Sequence, residues 1–139
     1  MTQPTIDEVK AFLSKAFPEI VSMFGLQIEE LSAQHSRVRL PAKSAVLRAG
    51  GTVAGPTLMT LADTATYVTI LGAIGCNPAA FTTSLHINFL RKAPPGDLYA
   101  HTRLLKVGRS LAVGEVRITP ASDDAVVVAT ATVTYSLPN

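Results

Sequence analysis

Residues 50–65 read Gly50-Gly51-Thr52-Val53-Ala54-Gly55-Pro56-Thr57-Leu58-Met59-Thr60-Leu61-Ala62-Asp63-Thr64-Ala65. The three glycines allow a tight turn. Pro56 suits the first turn of a helix, where its missing N–H would have no partner anyway. From Thr57 onward Leu, Met, Ala, Thr, Tyr, Val and Ile follow, with no breaker until Gly72 and Gly75. The pattern predicts one helix over residues 56–74, apolar on most faces and therefore buried.

Between Arg48 and Arg91 the only charged side chain is Asp63. At the chain's average of 16% charged residues, a window of this length would hold about seven. Burying an unpaired carboxylate is costly, so an apolar segment keeps one with a partner or for a function. The residues one helical turn away, Met59, Thr60, Thr66 and Tyr67, offer it no cation. A membrane span is the rival reading of this segment. The central Asp63, the five threonines and the Gly-Pro start argue against it.

Upstream, Thr5 and Glu8 have capping-box spacing. Ile6, Val9, Phe12, Leu13, Phe17, Ile20 and Val21 then recur at helical intervals, and Pro18 divides this helix into two short pieces. This amphipathic segment, residues 1–24, is expected to pack on the outside in a structural role. Residues 26–32 and 35–40 read as a β-hairpin. Beyond the central helix come strand-like runs over 80–91, 98–107, 111–119 and 125–135. They are separated by turns at Pro94-Pro95-Gly96-Asp97, Gly108-Arg109 and Asp123-Asp124. An antiparallel sheet needs cover for its apolar face, and the buried helix is that cover. The fold class is α+β: about six antiparallel strands wrapped around one central helix, in one domain spanning 1–139 with its core from residue 25.

Composition narrows the function. A formal net charge of +2 is too small to suggest nucleic acid. The single Cys76 excludes an internal disulfide and fits a reducing, cytoplasmic setting. The N-terminus lacks the basic start and apolar run of a signal peptide. No His, Cys and carboxylate spacing suits a metal, no Gly-x-Ser-x-Gly elbow suits a serine hydrolase, and no cofactor is expected.

Three stretches carry a resemblance. They are Gly51 to Ala65, Leu85-His86-Ile87-Asn88-Phe89-Leu90-Arg91 with the Pro-Gly turn after it, and Gly108-Arg109-Ser110-Leu111-Ala112-Val113. They resemble hotdog-fold proteins, and more narrowly acyl-CoA thioesterases of the phenylacetyl-CoA thioesterase type. The resemblance implies a hotdog fold, hydrolysis of a CoA thioester, and assembly into a homodimer or homotetramer. It implies Asp63 as the catalytic carboxylate and the Gly55 N–H as the oxyanion donor. The family hydroxyl on the strand after the helix falls at Thr82 or Thr83. In that family the turn usually reads Gly-Thr-Val-His-Gly-Gly, with an Asn three residues before its first Gly. Here the His position is Ala54, the second Gly is Pro56 and the Asn position is Arg48. Pro56 removes one N–H beside Gly55. Arg48 could replace the Asn against the thioester oxygen or a CoA phosphate, and Lys106 and Arg109 beside the Gly108 turn are further candidates for phosphate contact.

Thioester hydrolysis needs a carboxylate to activate water or attack directly, and a donor at the oxygen that becomes negative. Eight helical steps separate Gly55 from Asp63, about 12 Å along the axis. A single reacting carbon lies about 3 Å from both groups. If both act, they come from different chains, and the site is composite at a dimer interface. The strand holding Leu85 to Leu90 is a candidate edge for pairing with a second copy. Two other readings stay open. The missing His and Asn suit a protein that binds acyl-CoA or another apolar ligand without turning it over. A hydratase or dehydratase would need a His beside the carboxylate, which the Ala54 position does not supply.

Overall fold

A computed structural model of the chain describes residues 3–42 and 52–138. Helix α1 (Ile6–Ala16) opens on the expected capping box: the Glu8 N–H donates to Thr5 Oγ1 and the Thr5 N–H to Glu8 Oε1, both at 3.1 Å. Pro18 starts a separate helix, α2 (Pro18–Phe24), which ends at Gly25 in the left-handed region with φ 62°. Phe17 caps the end of one helix and the start of the next.

Strands β1 (Gln27–Leu31) and β2 (His35–Leu40) precede the long helix α3 (Gly55–Ile74). Strands β3 (Phe81–Phe89), β4 (Leu98–Val107), β5 (Leu111–Pro120) and β6 (Ala129–Ser136) follow it. They form one antiparallel sheet in the order β1-β2-β4-β5-β6-β3. The strand expected at an edge, β3, is at one. The sheet wraps α3, which packs against β2, β3, β4, β5 and β6. Val68, Ile70 and Leu71 in its second half are fully buried. Among the described residues, α3 is the helix long and apolar enough to cross a membrane. Of its most apolar window, 67% is buried within the fold, which makes it the core helix.

Strand β5 approaches α3 closely. A Cβ at Gly114 would stand 2.9 Å from Thr66 Cγ2, so a glycine is required for this spacing. The last strand begins at Ala129, later than the alternation suggested. After Pro120 the chain takes a longer turn, in which Asp123 Oδ1 accepts the Ala125 N–H at 3.0 Å and Asp123 O accepts the Val126 N–H at 3.2 Å.

Asp97, in the turn before β4, accepts the Ala42 N–H and Arg39 Nε, each at 2.7 Å. It thereby ties the end of β2 to that turn. These bonds, the Ala42 N–H first, hold its carboxyl below the usual range. A carboxyl depressed by folding stabilises the folded state above its unfolded pKa, and that contribution is lost as pH falls through the folded value. Asp97→Asn is therefore expected to lower the melting temperature at neutral pH. The gap from wild type should close as the pH falls below about 4. Melting curves across that range check it.

Candidate active site

Asp63 lies about two turns into α3, half-buried, and its side chain meets the start of β3 and the end of β6. Thr82 Oγ1 donates to Asp63 Oδ1 at 2.7 Å. The Tyr135 hydroxyl donates to the same Oδ1 at 2.8 Å and stands 3.1 Å from the Asp63 backbone oxygen. None of the ion pairs among the described residues includes Asp63. The carboxylate is thus held by neutral donors, on one of its two oxygens. Burial, and then the Asp63 charge, push the Tyr135 phenol well above its usual range, so it stays a protonated donor.

A β-bulge brings Thr82, and not Thr83, against Asp63. Leu85 and Ile87 face inward, and strict alternation would carry Thr83 inward with them. Instead the pairing of β3 with β6 shifts between Thr82 and Ser84, leaving Thr82 opposite Tyr135. Such bulges re-aim side chains. Thr83 is exposed and its hydroxyl donates to the Thr134 carbonyl at 3.3 Å.

Asp63, Thr82 and Tyr135 open onto a cavity of about 250 Å³. Its walls are mainly apolar: Leu13, Phe17 and Val21 from the N-terminal helices, Ile28 and Val38 from β1 and β2, Tyr67 and Val68 from α3. Tyr67 stacks on Tyr135 with centroids 5.6 Å apart and planes 17° apart, and Phe17 meets Tyr67 edge-on at 5.5 Å. The N-terminal segment therefore does more than the outer structural packing expected of it. It roofs the cavity into which the carboxylate faces.

Gly55 belongs to a different, more open cavity of about 310 Å³, shared with Thr52, Leu58, Phe89, Arg91 and Lys92. As the first residue of α3 its N–H has no acceptor within the helix, and the helix dipole adds partial positive charge there. Pro56 follows it in the first turn, exposed. The Phe89 ring comes within 3.4 Å of where a Gly55 Cβ would be. Asp63 and Gly55 share no cavity within one chain.

The other sequence candidates are placed apart from these. Lys106 and Arg109 are exposed on the β4–β5 hairpin and line neither cavity. Arg48, with Lys43, Gly50 and Gly51, lies outside the described residues. Among the described residues, the basic side chains that line the Gly55 cavity are Arg91 and Lys92. Tyr135 was not legible as a partner of Asp63. It stands 72 positions from Asp63, with no motif joining them. The one available signal is that a tyrosine at an inward strand position needs a partner for its hydroxyl.

The family model of the thioesterase superfamily matches residues 50–127. The chain belongs to the thioesterase superfamily. A protein of Halobacterium salinarum, provisionally named an esterase, is 31% identical over an alignment of 111 residues, and the match covers 76% of this chain and 73% of its own. A crystal structure from a Silicibacter species, provisionally called a thioesterase, is similar with a TM-score of 0.87 and 35% identity. The match covers 100% of this chain and 96% of the other. A mutant of the phenylacetic acid degradation protein PaaI from Thermus thermophilus matches with a TM-score of 0.74 over 87% of this chain and 99% of its own. At 20% identity that likeness is one of fold. The fold is the hotdog fold of these thioesterases, and superfamily membership supports hydrolysis of thioesters or esters in general terms.

Proposed function

We propose that this thioesterase-superfamily protein hydrolyses acyl-CoA in the cytoplasm, at a site shared between two copies of the chain. The observation that carries the reading is Asp63: a carboxylate with no cation partner among the described residues, facing an apolar cavity, with both its neutral donors on Oδ1. Oδ2 is left to act. In this reading Asp63 takes a proton from water as the water oxygen bonds to the thioester carbon. The carbonyl electron pair moves to oxygen, and the Gly55 N–H of the second copy stabilises that oxyanion. Collapse re-forms the carbonyl and breaks the C–S bond. The departing thiolate takes the proton from Asp63, giving free acid and CoA.

Three features support the assignment of parts. An apolar cavity of about 150 Å³ holds a benzene ring, so one of about 250 Å³ suits an aromatic or a short to medium aliphatic acyl group. Arg91 and Lys92 beside Gly55 suit the phosphates of CoA. Edge strand β3, with exposed Phe81 and Phe89, suits pairing with a second copy, and homotetramers extend the same scheme.

The test is thiol release from a panel of aromatic and aliphatic acyl-CoAs, with light scattering on the same sample. Turnover on aromatic and short to medium esters, by a dimer or larger, is expected. A monomer at micromolar concentration would contradict the shared site. Micromolar binding with no product after hours would replace this reading with a non-catalytic acyl-CoA binder, for which the Ala54 and Arg48 positions supply the motive.

A further inference from the structure

We propose that Tyr135 is a positioning residue for hydrolysis, fixing the Asp63 carboxylate so that Oδ2 alone faces the reacting carbon. The proposal rests on the thioesterase reading above and deepens it.

Two short bonds end on one oxygen, from Thr82 at 2.7 Å and Tyr135 at 2.8 Å. Together they set the torsion of the carboxylate and saturate Oδ1. The two donors differ in how firmly they are held. Thr82 is on the edge strand β3, next to a bulge. Tyr135 is on β6, between β5 and β3, and is 4% exposed. Its ring stacks on Tyr67, which Phe17 in turn meets edge-on. The hydroxyl also stands 3.1 Å from the Asp63 backbone oxygen, so it registers the side chain against its own helix. Tyr135 is thus the fixed reference and Thr82 the more exposed second donor. Without the phenol, one bond from an edge strand remains, and the carboxylate can rotate about it. Misplacement of a reacting group by about 1 Å can cost about 100-fold in rate, whereas acyl binding by the cavity walls is unaffected.

The experiment compares wild type, Tyr135→Phe, Asp63→Asn and the double variant for kcat, KM and melting temperature. Phenylalanine keeps the ring and its stack. In Tyr135→Phe, kcat should fall about 10- to 100-fold with KM within about twofold and melting close to wild type. In the Asp63→Asn background the same change should have no further effect, because there is no carboxylate left to position. An unchanged kcat in Tyr135→Phe, or a loss that adds in full to that of Asp63→Asn, overturns the proposal. If wild type releases no thiol, the thioesterase reading itself fails; if wild type and Asp63→Asn turn over alike, Asp63 has no part in the chemistry and the positioning proposal falls with it. Should Tyr135→Phe not fold, Tyr135→Met, which lacks the hydroxyl and also the stacked ring, is read on kcat alone, with the same comparison in the Asp63→Asn background. Unfolding of both while Asp63→Asn folds would make the hydroxyl structural and end the proposal.

Discussion

Asp63→Asn should abolish most turnover while the protein melts at or above the wild-type temperature. Asparagine has the same shape, and its Oδ1 can still accept from Thr82 and Tyr135 as the carboxylate does. What is lost is the capacity to take a proton or to attack. General acid–base catalysis contributes about 10²- to 10⁴-fold, and kcat should fall by that order. The fold gains if anything, because a half-buried charge with no cation partner among the described residues costs free energy that the amide avoids. Steady-state assays alongside thermal melts decide the matter. Unchanged turnover in a folded variant would remove Asp63 from the chemistry.

Leu71→Ala, two turns further along α3, should do the reverse. Leu71 is fully buried beneath the sheet, among Val68 and Ile70 and the inward residues of the strands. Deleting a buried leucine to alanine costs about 2–5 kcal/mol, part in lost transfer free energy and part in the cavity left behind. Against a typical total of about 5–15 kcal/mol, that is a large share. A domain of this size should lose about 10 °C in melting temperature. Leu71 lines neither cavity, so kcat measured well below the transition should stay near wild type. A melting temperature within a degree or two of wild type would mean that the helix is less tightly enclosed than its burial implies.

The two substitutions show why the architecture was readable from the chain. A helix apolar on nearly every face can only sit inside, and one carboxylate retained in it marks a candidate site; both follow from local composition. The six strands were legible from alternation and turn residues, and Pro18 from its missing N–H. The site was legible only in part. The bulge that selects Thr82 over Thr83 depends on how β3 pairs with β6, and alternation within one strand does not encode it. Tyr135 reaches Asp63 only once the sheet has closed around the helix. Lys106 and Arg109 drew notice because they flank a recognisable turn, whereas the basic side chains that line the Gly55 cavity among the described residues are Arg91 and Lys92. Sequence neighbourhood located the carboxylate, while its surroundings were set by tertiary pairing.

Phe17 joins two properties that are separate in most domains. Its backbone, at φ −138° and ψ 63°, is the joint between α1 and α2, and its ring is a wall of the cavity beside Asp63. A change at this one position therefore reaches both: Phe17→Ala would open the cavity wall and remove the ring that ties the joint between α1 and α2 to Tyr67 in the core helix.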